Sequence, residues 1–116
     1  MFLEEALKKI ALHVRHSTVA KVLAVTGSSG KTTVKEMLRL VLADQVNTHA
    51  TPASFNSRWG LPLTLSGASD ADQAIVLEMG MNEPGEILNL TQMGQPHVAL
   101  ITTINPAHVE KLGRNS

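Results

Sequence analysis

Three short apolar runs constrain this chain most: KVLAVT (21–26), QAIVLEMG (73–80) and HVALITTI (97–104). Each is rich in β-branched residues, nearly continuous rather than alternating, and bounded by turn residues, so each predicts a buried strand. A strand that is apolar on both sides needs cover on both sides. The intervening segments supply it. Val34, Met37, Leu38, Val41 and Leu42 recur at helical spacing and predict a helix over 32–43. Leu3, Leu7, Ile10 and Val14 do the same for residues 3–15, and Pro84 suits the first turn of a short helix over 84–92. Alternating strands and helices predict an α/β fold, a parallel sheet flanked by helices. Residues 47–60 show no period and read mainly as loop, 61–65 fit a helix or an extended piece equally, and GASDAD (67–72) reads as a turn. No return helix follows the third run before Ser116, so a domain truncated on its C-terminal side is expected.

Composition narrows the function classes. With 116 residues, 43% hydrophobic and 17% charged, the chain can bury one core, and disorder is not expected. Ten Lys and Arg balance ten Asp and Glu, which argues against a general nucleic-acid or anionic-membrane binder. Aromatics at 3% are too few for a base-stacking platform. The absence of cysteine excludes disulfides, thiolate metal sites and cysteine nucleophiles. The start, MFLEEALKKI, is not a signal peptide, and no apolar stretch nears the roughly 20 residues that span a bilayer. A cytoplasmic protein, without nucleic-acid partner or membrane insertion, is expected.

The chemistry concentrates in T-G-S-S-G-K-T-T (26–33), between a predicted strand and a predicted helix. That context makes a phosphate loop credible and the fold P-loop NTPase-like. Gly27 and Gly30 let the backbone turn tightly, so that N–H groups around Ser28 and Ser29 can face phosphate oxygens. The following helix adds its positive end. Lys31 offers a mobile charge for β- and γ-phosphates, and the Thr32 hydroxyl is a Mg²⁺ ligand in such loops. The usual leading glycine is replaced by Val25. A plain glycine-rich turn is the alternative, and the Gly-Lys-Thr at the junction weighs against it.

Glu78 ends an apolar strand, where an acid is expensive to bury without a cation or donor. Ligands of parallel α/β sheets bind at the carboxyl ends of strands, so Glu78 is a candidate second metal ligand or holder of a metal-bound water, against the alternative of a solvated strand-end acid. His108, in INPAH, follows the third strand at the same sheet edge; on spacing alone a structural role is favoured over ligation. His13 and His16 lie three apart on the first helix and read as a solvated face rather than a metal pair, and His49 and His97 have no supporting context. Asn56 lies in the long polar loop, the kind of segment that is often functional. Trp59 reads as a packing anchor, and Arg58 fits a phosphate contact or a plain surface position.

Taken in series, these motifs resemble the ATP-binding central domain of the Mur ligases of bacterial cell-wall synthesis. AVTGSSGKTTVKE is similar to the family's phosphate loop, which also lacks the leading glycine. TPASFNSRWGLPLTL resembles its asparagine motif followed by Gly-x-Pro, matching Asn56 and Gly60-Leu61-Pro62, although Ser54 and Ser57 stand where asparagines are common. VLEMGMNEPGEI is similar to the acidic-strand motif and puts Glu78 on the magnesium-binding glutamate. ITTINPAHVEKLG resembles the segment whose histidine, here His108, helps hold a second metal. The match runs from about residue 20 to 113, leaving 1–19 as a linker helix and 20–116 as part of the central domain. The wording E-M-G-M-N-x-P-G-E-I and A-S-F-N is most like the D-alanyl-D-alanine-adding branch.

The resemblance implies ATP and Mg²⁺ as cofactors, with UDP-N-acetylmuramoyl-peptide and D-alanyl-D-alanine as substrates of the whole enzyme. It implies an acyl phosphate made from the peptide carboxylate and ATP, then displacement of phosphate by the amine. Lys31, Glu78 and His108 would be catalytic. Gly27, Ser28, Ser29, Gly30, Lys31, Thr32, Thr33 and Asn56 would hold nucleotide and reacting groups, and Thr32, Glu78 and His108 the metals. The family's carbamylated lysine is expected beyond Ser116, because Lys111 is too close to His108, and the isolated piece is expected to be inactive. The alternatives are another ligase of the superfamily, acting in folate polyglutamylation or amino-acid polymer synthesis, and a non-catalytic nucleotide-binding remnant. A kinase or GTPase is disfavoured, since no Asn-Lys-x-Asp motif is present.

Overall fold

The computed structural model describes residues 2–52, 60–80 and 86–103. The elements run α1 (Phe2–Ser17), β1 (Lys21–Thr26), α2 (Lys31–Ala43), β2 (Thr48–Ala50), α3 (Gly60–Ser66), β3 (Ala74–Glu78), α4 (Glu86–Gly94) and β4 (Val98–Ile101). All strand pairs are parallel, in the order β2-β3-β1-β4, and the two most buried strands, β3 and β1, lie at the centre. The register sets Val25 beside both Glu78 and Leu100, which brings the carboxyl ends of β1, β3 and β4 to one edge.

Side chains alternate across a strand, and here the alternation sorts two different interiors. Val22 and Ala24 of β1 with Ile75 and Leu77 of β3 face a core closed by Ala11 of α1, Leu61 and Leu65 of α3, and Met93 of α4. Burying a side chain such as Leu77 is worth about 1.5–3 kcal/mol. Val76 and Glu78 point the other way, toward α2. Arg15 of α1 donates from Nε to the Gly94 carbonyl (2.7 Å) and from its guanidinium to the Gln95 carbonyl, a cation set on the carbonyl end of α4. Gln95, at φ 43°, ends that helix in the left-handed conformation.

Several sequence expectations are corrected. The 47–60 segment is not only loop: β2 lies within it, three residues long, and its pairing to Ala74–Val76 rather than any apolar pattern makes it a strand. Residues 61–65 are helical. The run 97–104 was expected to be buried, yet β4 is an edge strand whose four residues are all exposed, Ile101 at 60%. The apolar spacing of α2 marked the packed face in part: Val34, Leu38 and Leu42 are half-buried, Met37 and Val41 are exposed, and the fully buried residue of that helix is Lys35. On α1, Ile10 is likewise exposed while Ala11 is buried, because the small residue allows α1 to approach α3 closely. The short helix expected over 84–92 runs two residues later, to Gly94.

Candidate functional site

The 26–33 segment forms a tight turn from the end of β1 into the first turn of α2. Two backbone positions there require glycine. Gly27 has φ 135°, and a Cβ on it would collide with the Thr102 hydroxyl. Gly30 caps α2 at φ 78°, with open space where a Cβ would stand. The turn is stitched to the neighbouring strand ends. Thr26 Oγ1 donates to the Met79 carbonyl (3.1 Å), and Ser28 N–H donates to the Thr103 carbonyl (2.7 Å). Thr102 Oγ1 donates to the Ser29 carbonyl (2.5 Å), and Ser29 Oγ lies 3.1 Å from Thr103 Oγ1.

Within this frame Lys31 folds back, its Nζ donating to the Gly27 carbonyl at 3.1 Å. Thr32, on the first turn of α2, donates from Oγ1 to the Glu78 carboxylate, 2.9 Å to Oε2 and 3.1 Å to Oε1. Glu78 is only 2% exposed, so its carboxylate is a hard oxygen donor held at the edge of the interior rather than a solvated strand-end acid. A threonine hydroxyl and a carboxylate in contact at the start of a helix form an oxygen-only donor set, which fits Mg²⁺ better than a softer metal. The open left-handed turn at Gly30, ahead of a 13-residue helix, fits an anion. Thr33 is exposed on the same turn.

Of the predicted site residues, the fold thus gathers Gly27, Ser28, Ser29, Gly30, Lys31, Thr32 and Glu78 at one sheet edge. Asn56, His108 and Lys111 lie outside the described residues, as do Arg58 and Trp59. Among the described residues no group of three or more His, Asp or Glu could hold a metal ion. His49 and His97 have structural partners: His49 Nε2 meets the Thr64 carbonyl (2.7 Å), and His97 Nδ1 accepts the Val22 N–H (3.0 Å). No helix among the described residues is long and apolar enough to cross a membrane.

One pair at the site escaped the sequence reading. Lys35 is wholly buried, one turn beyond Thr32, and its Nζ donates to the Thr51 carbonyl and to Glu36 Oε2, each at 2.7 Å. Thr51, 1% exposed, accepts the Glu78 N–H on its hydroxyl at 2.9 Å. Glu36 also accepts from Arg39, and these two cations lower its pKa from 4.5 to about 2, the Lys35 hydrogen bond contributing most.

Comparison with known proteins bears on the family and the fold. A model of the Mur ligase middle domain matches residues 25–115. A UDP-N-acetylmuramoyl-tripeptide–D-alanyl-D-alanine ligase from Rickettsia prowazekii is 41% identical over 106 residues, 91% of this chain and 24% of that protein. A crystal structure of MurF from Acinetobacter baumannii superposes with a TM-score of 0.87 at 39% identity, over 95% of this chain and 24% of that one. MurF ligase from Thermotoga maritima, solved in complex with ADP, gives a TM-score of 0.82 at 35% identity, over 91% of this chain and 25% of that one. The chain therefore spans about a quarter of the length of the relatives it matches.

Proposed function

The chain belongs to the Mur ligase middle-domain family, and from that premise we propose that it supplies the ATP- and Mg²⁺-binding part of a ligase that joins D-alanyl-D-alanine to a UDP-N-acetylmuramoyl-tripeptide. Residues 20–116 are then part of the middle domain, and residues 1–19 lead into it. The observation that carries the reading is the Thr32–Glu78 contact at the mouth of the glycine turn. That the Thermotoga relative was solved in complex with ADP supports a nucleotide ligand.

In this reading the Gly27–Gly30 backbone and the start of α2 bind the nucleotide's phosphates. Lys31 leaves the Gly27 carbonyl, a neutral acceptor, for the more negative β- and γ-phosphate oxygens. Thr32 and Glu78 would hold Mg²⁺, His108 would by resemblance help hold a second metal, and Thr33 and Asn56 would support the nucleotide and reacting groups. Bound there, the metal neutralises charge that develops on the phosphates. The peptide carboxylate attacks the γ-phosphate and ADP leaves. The amine of D-alanyl-D-alanine then attacks the acyl phosphate, inorganic phosphate departs, and the amine's proton passes to solvent. Phosphorylation is needed because oxide is a poor leaving group. The chain's own contribution is positioning and charge compensation.

Titration calorimetry with Mg-ATP tests the nucleotide site. Lys31→Ala should weaken binding by roughly 10- to 100-fold, the worth of a charge-assisted hydrogen bond; unchanged binding would refute the phosphate-loop role. In a ligase containing this segment, sustained ADP release over many turnovers should require both the tripeptide precursor and D-alanyl-D-alanine. Release supported by glutamate instead would assign the chain to another branch.

A further inference from the structure

The Lys35 ammonium belongs neither to the apolar core nor to the phosphate turn. A buried cation is unfavourable unless its donors are matched, and an apolar side chain of similar length would fill the same space without that penalty. Its partners say what it does. By its bond to the Thr51 carbonyl it ties α2 to the carboxyl end of β2. Thr51 in turn donates its N–H to the Val76 carbonyl (3.0 Å) and accepts the Glu78 N–H on its hydroxyl (2.9 Å). The Glu78 carboxylate accepts from Thr32, one turn before Lys35 on the same helix. The contacts close a ring, Thr32–Glu78–Thr51–Lys35, that grips Glu78 at both its backbone and its carboxylate.

We propose that Lys35 is a positioning residue for the divalent-cation site: by holding the Thr51 carbonyl it fixes the end of β2 against β3 and sets the Glu78 carboxylate where Thr32 and a metal ion share it. The same anchor sits where the chain leaves β2 toward Asn56. The inference rests on the Mg²⁺ reading of Thr32 and Glu78. Glu36 keeps the ammonium's second donor matched at 2.7 Å, and Arg39 on its other oxygen favours the carboxylate form there.

The test follows Mn²⁺ by electron paramagnetic resonance, as it binds the full chain with ADP present. Lys35→Met, which keeps most of the unbranched length and loses the donor, should raise the half-saturating Mn²⁺ concentration about tenfold, the usual effect of losing a group that orients a metal ligand. Thr51→Val should do the same, and the double variant should be no worse than the weaker single one, because both cut one ring. Lys35→Arg should restore most of the affinity, and ADP binding without metal should be unchanged throughout. If Lys35→Met does not fold, Lys35→Gln, which keeps a neutral donor on a shorter arm, is measured in its place, and wild-type Mn²⁺ binding by it overturns the role. Variants that lower only the melting temperature, with wild-type Mn²⁺ binding, overturn the positioning role. If Glu78→Gln itself leaves Mn²⁺ binding intact, the metal reading fails first and this proposal with it.

Discussion

The two faces of the sheet are built on opposite principles. Toward α1, α3 and α4 the interior is Ala, Val, Leu, Ile and Met, matched by shape alone. Toward α2 it includes Lys35, Thr51 and Glu78, all nearly inaccessible and joined by directional hydrogen bonds. The difference teaches where stability and chemistry reside. An apolar face gains free energy from area and tolerates modest repacking. A polar face gains little net stability, because each bond replaces one to water, but it admits few arrangements. The functional edge lies where that second face meets the strand ends.

Substitutions that damage one face and spare the other would break or sharpen this contrast. Leu77→Ala empties the apolar side at its centre and should cost about 2–5 kcal/mol of unfolding free energy in urea melts. Nucleotide affinity of the molecules that remain folded should hardly move. A smaller stability loss is expected from Gly27→Ala, about 1–3 kcal/mol, because the new methyl meets the Thr102 hydroxyl at φ 135°. Here nucleotide binding should fall as well, since the turn must open to relieve the collision. Equal effects of both variants on nucleotide binding would erase the distinction between the faces. Ile101→Thr, on the exposed edge strand, should stay within about 0.5 kcal/mol of wild type.

Legibility followed the same division. β1 and β3 could be read because apolar side chains on both faces leave a continuous signal, and KVLAVT matches β1 residue for residue. The phosphate turn could be read because backbone geometry demands Gly27 and Gly30. Glu78 drew notice as an acid inside an apolar strand, and its meeting with Thr32 follows from the parallel register of β1 and β3. Lys35 left no such trace. Its main partner is a backbone carbonyl, which any residue at 51 would offer, and lysine at helical spacing ordinarily signals a solvated face. β2 escaped because three residues are too few to show a period. β4 has the apolar run of a buried strand, yet among the described residues, which reach only Thr103, it stands at the edge of the sheet and is exposed, as a strand without a return helix would be.

The smallest effect concerns the rim of the polar face, where Glu36 is 40% exposed and pairs with both Lys35 and Arg39. Its carboxyl titrates at about 2 in the folded chain against an ordinary 4.5, so folding favours the ionised form. The sign follows from linkage: stability from this group is fully present above about pH 5 and is lost as pH falls through the folded value near 2. Exposure and salt screening keep the gain small. Comparing urea midpoints of the wild type and Glu36→Gln isolates it. The wild-type advantage should be greatest near pH 6, shrink steadily below pH 4.5, and shrink at every pH in high salt. Lys35 keeps its bond to Thr51 in that variant, so Mn²⁺ binding at neutral pH should be unaffected. An advantage that does not change with pH would mean that the two cations do not hold the carboxyl ionised, and that the polar face ends at Lys35 rather than at its rim.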